Sequence, residues 1–377
     1  MKPTQTDEPP AETSIELTIG VELEYLIVDA TGYPSHQGPD LAQRDDGDEA
    51  GELQPELIRC QVETTTSVCR DAREAHKQLT ELRGRAAEVA AGRGLRLVGS
   101  GTPVLAEPDW PRLTSGSRYD EIADWFGAVA HTANTCGCHV HVAIPDRATG
   151  VEVSNRIRPW LPVLLALSAN SPFNEGMDTG YDSWRYILWS RWPTSGPPPL
   201  FVSLDHYESS LAALLKVGAI VDRRNVYWDI RLSEHQPTLE FRVCDVTQTP
   251  GEAALLAALT QAAVGTALDD LDSVSPHVLP LPQEVLRANL WRAAREGLRG
   301  RFLHPVSGEL VEVRGLVEDF VRWLRPALRT SGDLEFVEQQ LARLREHGGG
   351  AHRQRAVFDE HRSLSAVVDA LAGPPDW

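Results

Sequence analysis

Five short segments of this chain each carry two strongly polar residues two positions apart, with apolar residues beside them: Glu22/Glu24, Gln61/Glu63, His139/His141, Asp229/Arg231 and Glu240/Arg242. Side chains of an extended strand alternate between faces, so residues two apart share one. The intervening positions are Val21, Leu23 and Tyr25; Val140 and Val142; Trp228 and Ile230; Leu239, Phe241 and Val243. The simplest arrangement is a single sheet. Its apolar face is covered by helices, and its other face presents carboxylates, imidazoles and guanidinia to a common cavity. A solvated sheet face alternates in the same way, and for one pair alone that is the favoured reading. Such faces are rich in Thr, Lys and Ser, whereas this set is Glu, His, Asp, Gln and Arg. Five pairs together point to a site.

The rest of the chain supplies the covering helices. Ala75, Leu79, Leu82, Ala86 and Val89 recur at three- and four-residue steps, which predicts a helix over 71–91 ended by Gly92 and Gly94. Thr249-Pro250-Gly251-Glu252 is a capping-box start for another. Helices are also expected at 119–131, 152–170 and 203–217, and strands at 18–29, 58–65, 95–99, 138–144, 226–232 and 239–246. An acidic loop is expected over 31–51. No stretch resembles an interdomain linker and no repeat is found. The expected organisation is a disordered leader at 1–14 and one α+β domain over 15–377.

An oxygen-rich group such as Glu22, Glu24, Glu63 and Glu240 suits magnesium, or manganese where imidazole joins it. Like charges on one face raise one another's proton affinity unless cations lie between them, so divalent ions are implied by the group itself. Arg231 and Arg242 beside it suit phosphoryl oxygens. Metal ions, arginine and an acidic scaffold together suggest phosphoryl chemistry. No phosphate-binding Gly-x-x-x-x-Gly-Lys loop is present, so a nucleotide would be held through metals. Cys136-Gly137-Cys138-His139-Val140-His141 invites a zinc reading, and a zinc hydrolase is the competing enzyme class. Strand parity opposes it, because the cysteines face away from the histidines unless a bulge intervenes.

With 36 basic and 54 acidic residues the formal charge is −18, which disfavours nucleic acid and anionic membranes as partners. Small-molecule substrates remain. The five cysteines are scattered and no secretory h-region precedes them, so reduced thiols and a cytoplasmic location are expected. No apolar run is long enough in sequence to suggest a membrane span.

Taken in order, several segments resemble the carboxylate–amine ligase family, also called the glutamate–cysteine ligase type 2 family. They are Gly20 to Tyr25, Gln61 to Glu63, Gly137 to Val142, Leu167 to Phe173, Asp178 to Tyr181, Arg191 to Thr194, Tyr227 to Arg231, Leu239 to Asp245 and His352 to Arg355. The resemblance implies a fold similar to the glutamine synthetase catalytic domain: a curved, largely antiparallel sheet with helices on its outer face. It implies an enzyme that uses ATP and two or three magnesium ions to join a carboxylate, glutamate by default, to cysteine or another amine through an acyl phosphate.

By the same resemblance, Glu22, Glu24, Glu63, His139 and Glu240 adjoin the metals, with Glu56 a further candidate. Arg242, Arg231 and His141 are the catalytic candidates. Arg242, Arg353 and Arg355 are candidates for holding nucleotide and Gln61 for holding substrate. Arg185 and Arg191, read from the aromatic stretch 184–192 itself, are candidates for a substrate carboxylate, with surface salt bridges the equal or better reading. A homodimer suits such a fold. A non-catalytic member that only binds nucleotide or amino acid is the third reading. Many relatives carry a glutamate where Leu23 stands, and Leu23 is expected to point into the core.

Overall fold

Both edges of β1 (Ile19–Val28) are paired, which makes it the strand on which the fold is assembled. In the computed structural model, residues 16–43, 47, 48, 50–107, 111–271 and 281–373 are described. The expected leader at 1–14 lies outside them. An open sheet is completed by β2 (Gly51–Pro55), β3 (Gln61–Thr66), β4 (Arg96–Val98), β5 (Gly137–Ala143), β6 (Ile230–Leu232) and β7 (Thr238–Asp245). The order is β2–β3–β1–β5–β7–β6, and β4 pairs the last part of β1 beyond the reach of β5. Every pairing is antiparallel. The fold is α+β, as the alternation implied.

The apolar face follows directly from strand parity. Val21, Leu23, Tyr25 and Ile27 are all buried, as are Val140 and Val142. Leu23 is 1% exposed, so truncation to Ala would cost about 2–5 kcal/mol. The helices that matter below are α1 (Ala72–Ala91), α2 (Ser117–Phe126), α3 (Trp184–Trp189), α4 (Pro250–Asp269), α5 (Gln283–Glu296), α6 (Val313–Ser331) and α7 (Gly350–His361). The Asp71 carboxylate caps α1 by accepting from Glu74 N at 2.8 Å. The capping box of α4 is formed: Thr249 Oγ1 accepts from Glu252 N at 3.1 Å, and Glu252 accepts from Thr249 N at 3.2 Å. Helix α4 packs on β1 and β5 with α1 and α6 beside it. Its small Ala side chains allow that close approach. Its length and mean hydropathy of 1.3 would suit a bilayer, but 89% of the window is buried, which marks a central core helix.

Several boundaries differ from the sequence reading. Strand β2 lies partly inside the expected acidic loop, because its register against β3, not its own composition, makes it a strand. The helix expected over 152–170 is broken into Arg147–Ile157, a 3-10 turn and Leu161–Ser168. Pro159 and Pro162 supply no N–H for a continuous ladder. The helix expected over 119–131 ends at Gly127, whose φ of 53° an L side chain rarely adopts. Strand β6 is shorter than the expected 226–232, because Trp228 bridges to Gly196 and the β7 pairing begins at Ile230.

Candidate active site

Strand register brings the paired polar residues together. Glu24 stands opposite Glu63 on β3, and Glu22 stands opposite His139 on β5. His141 stands opposite Glu240 on β7, which in turn faces Arg231 on β6. A register shift lies between Cys138 and Val140, where His139 faces the two residues Arg242 and Val243. That bulge resolves a parity conflict. Without it, β7 could not set Glu240 beside His141 on the polar face and Cys244 opposite Cys138 in the core.

Two groups of side chains have ligand atoms within 4.8 Å of one another: Glu24, Glu63 and His139, and Glu22, His139 and Glu240. His139 belongs to both. Its Nδ1 lies 3.3 Å from Glu22, its Nε2 lies 3.8 Å from Glu24, and the buried Nε2 has no hydrogen-bond partner. Burial holds the His139 imidazole below its usual range, with Arg242 acting in the same direction, so the ring is neutral and free to act as a ligand. Burial pushes the Glu63 carboxyl well above the usual range, and the charges of Glu22, Glu56 and Glu24 add to the effect. Glu56 is raised to about 7 by burial and by Glu24. Crowded carboxylates that hold protons, beside an orphaned imidazole nitrogen, fit divalent cations well.

Glu22 behaves differently. Burial would raise it, but hydrogen bonds from His139 and His141 hold it well below the carboxylate range. His141 Nε2 lies 3.3 Å from Glu22, and its Nδ1 lies 2.9 Å from Thr238 Oγ1. Against the effect of burial, the Glu22 bond and the Glu240 charge raise His141.

Glu240 is clasped by two guanidinia. Arg231 donates Nε at 2.8 Å and Nη2 at 3.1 Å, and Arg242 Nη1 pairs with the same carboxylate. These charges outweigh burial and keep Glu240 well below its usual range. Arg242 lies over the Tyr227 ring at 5.8 Å, and its buried Nε has no partner.

The substrate candidates separate. Arg185, on α3, is only 2% exposed, donates to Arg242 O at 3.3 Å and has an unpartnered Nε. A Cβ at Gly137 would stand 2.3 Å from Arg185 Nη2 and 3.0 Å from His139 Nε2. Only glycine at 137 leaves the room that the guanidinium occupies. Gln61 shares the polar face but donates to Thr135 O at 2.7 Å and to Cys136 Sγ at 3.3 Å. Arg191 is exposed, and among the described residues no side-chain bond joins it to the group.

The two arginines of the last motif lie elsewhere. Arg353 binds Glu252 at 2.6 Å, Gln248 at 2.7 Å and Gly348 O at 2.6 Å. Arg355 binds Asp178 at 2.9 Å and Asp182 at 2.5 Å. These bonds tie α7 to neighbouring segments and do not reach Glu22, Glu24, Glu63 or Glu240. Among the described residues, Cys136 and Cys138 are buried and stand in neither donor group, and the two histidines bracket Glu22 without sharing a third donor.

Glu56 is the weaker candidate in the sequence because its match to the family motif is less certain. Its proximity to Glu24 comes from the loop between β2 and β3. Tyr186, which bonds Asp229, carried no sequence signal beyond lying in an aromatic stretch, whereas Tyr227, under Arg242, opens the Tyr227 to Arg231 segment.

Residues 18–369 match the family described as glutamate-cysteine ligase family 2. A Rhodococcus jostii protein provisionally named glutamate–cysteine ligase 2-1 is 48% identical over 360 residues, spanning 96% of this chain and 97% of that one. A Nocardia farcinica protein with the same provisional name is 44% identical over 94% of this chain and 92% of its own. Among solved structures, the Francisella tularensis glutamate–cysteine ligase in complex with AMP superposes with a TM-score of 0.70 at 13% identity, covering 95% of this chain and 88% of that one. A bifunctional glutathione synthetase from Pasteurella multocida gives 0.66 at 15% identity, covering 94% and 52%. At those identities the likeness is one of fold.

Proposed function

This chain belongs to glutamate–cysteine ligase family 2, whose members join a carboxylate to an amine, and we propose that it does so through an acyl phosphate with ATP as co-substrate and magnesium as the metal. The proposed donor is the γ-carboxylate of glutamate, and the acceptor is cysteine or another amine. The observation that carries this reading is the convergence of Glu22, Glu24, Glu63, Glu56 and His139 on one sheet face, bordered by Arg242 and Arg231.

Glu24, Glu63 and His139 would hold divalent ions, with Glu22, Glu56 and Glu240 adjoining, and ions there supply charge neutralisation for the triphosphate. Glu240 holds Arg231 and Arg242 in a fixed pose, so that positive charge faces the transferring phosphoryl group without reorganisation. The donor carboxylate attacks the γ-phosphorus and ADP leaves. An amine then attacks the acyl carbon, and phosphate departs as the amide forms. Arg185, buried and incompletely bonded beside Gly137, suits a second carboxylate of the donor.

The test is mass analysis of products from ATP, magnesium, glutamate and pooled amines, with ADP followed in parallel. An amide of glutamate with amine-dependent ADP release is expected. No amine-dependent ADP at any magnesium concentration would overturn the reading.

A further inference from the structure

One carboxyl on the polar face takes no part in the reading above. Asp229 precedes β6 and has the parity of Arg231, so it continues the row Glu22, His139, Arg242 across the sheet. Its carbonyl accepts from Arg242 N at 2.8 Å, and its own N–H donates to Gly196 O at 2.9 Å. With strands about 4.8 Å apart, it stands roughly two strand spacings from His139, on the far side of Arg242 from the glutamates. Arg185 lies between, bonded to Arg242 O on one side and against Gly137 on the other.

The amide-forming step needs a proton acceptor. An amine at neutral pH is an ammonium and has no lone pair until it loses a proton. The other groups on this face are committed. Glu22 and Glu240 are held ionised by histidines and arginines, which makes them weak bases. Both ring nitrogens of His141 are engaged. Asp245, also buried, accepts from Asn170 N, Ser171 Oγ and Ser183 Oγ and is saturated. Among the described residues, Asp229 accepts one side-chain hydrogen bond, from Tyr186 Oη, 3.0 Å from its Oδ2.

We propose that Asp229 is the proton acceptor for the acceptor amine, oriented by Tyr186 and separated from the metal-binding glutamates by Arg185 and Arg242. The inference rests on the ligase reading. In the step, the substrate ammonium gives one proton to the Asp229 carboxylate. The freed lone pair forms the C–N bond at the acyl carbon, the C–O bond to phosphate breaks, and the second nitrogen proton leaves with phosphate.

The environment suits the task. Burial raises Asp229 to about 7, while the Tyr186 hydrogen bond and the charges of Arg185 on α3 and Arg287 on α5 moderate the rise. A base of that strength is ionised just above neutrality and still accepts a proton readily. At 2% exposure, an amine that reaches it has left water behind.

Hydroxylamine separates this role from a structural one, because it is neutral at neutral pH and attacks an acyl phosphate without a base. With full-length enzyme, ATP, magnesium and glutamate, Asp229→Asn should form hydroxamate within about threefold of wild type. With cysteine, or the amino acid that product analysis selects, its turnover should fall roughly 100-fold or more. The rise of wild-type kcat/KM through about pH 7 should disappear. Tyr186→Phe removes the bond that lowers Asp229, so its rise should move to higher pH. That variant decides the matter alone if Asp229→Asn does not fold. Equal losses with hydroxylamine and amino acid, full activity with both, or an unmoved profile in Tyr186→Phe would overturn the role. Failure of the wild type itself to give hydroxamate or amide would remove the ligase reading, and this role with it.

Discussion

Asp245 and Glu63 lie on the same sheet, and the polar groups around them are in opposite states. Asp245 accepts three hydrogen bonds from Asn170 N, Ser171 and Ser183, at 2.7–2.9 Å. Asn170 in turn donates to Gly99 O and Val246 O and accepts from Gln248 and Gln354. Glu63 instead faces Glu24, carboxyl against carboxyl, beside an imidazole nitrogen with no partner. The first cluster joins β7, α7 and the segment after 168 into one body. The second crowds buried carboxyls whose proton affinity rises where no cation lies between them. Both are drawn from equally conspicuous motifs, Leu167 to Phe173 and His352 to Arg355 for one, Gly20 to Tyr25 and Gln61 to Glu63 for the other. A motif therefore does not by itself separate residues that hold the fold from residues that do chemistry. Completeness of hydrogen bonding does.

The sharpest way to break that contrast is Glu63→Gln. Amine-dependent ADP release should drop by roughly 10²–10³, while the metal-free protein becomes more stable by about 1 kcal/mol. The sign follows from Glu63 binding its proton more tightly folded than unfolded. The stability of the metal-free wild type should decline as pH rises above about 4.3, the unfolded value. Urea titrations in chelator between about pH 5 and 8 should show a shallower decline in the variant. An unchanged turnover, or a destabilised variant, would dissolve the distinction.

Asn170→Ala probes the other cluster. Four bonds disappear from a fully buried site, so stability should fall by about 3 kcal/mol. Magnesium dependence of the remaining folded enzyme should be unchanged, and a raised magnesium requirement would show that the clusters are coupled.

The smallest effect is expected at Arg355→Ala. Its ion pairs with Asp178 and Asp182 are partly exposed, and their loss should cost about 1 kcal/mol. If Arg355 is a strut, KM for ATP stays within about twofold. A tenfold rise would return it to the nucleotide site.

Much of this was legible in the chain. Alternation in β1, β3, β5 and β7 placed Glu22, Glu24, Glu63, His139, His141 and Glu240 on one face, because side-chain parity in a strand is a local property. The α4 capping box was equally local. Less legible were β2, whose existence depends on pairing with β3, and the placement of Arg353 and Arg355, which hangs on where α7 docks. Glu56 and Tyr186 approach the face through loops and a short helix whose paths no periodicity encodes.

Sequence alone determined the covalent order of the polar pairs, the faces they share within each strand and the excess of acid among them. Tertiary structure decided which strands are neighbours, where β7 bulges to set Arg242 against His139, and that Arg185 and Asp229 both meet the backbone of Arg242, one at its carbonyl and the other at its N–H. Within a strand, covalent geometry repeats every two residues and can be read from the chain. Between strands, position depends on the packing of the whole core, and no short window of sequence carries that information.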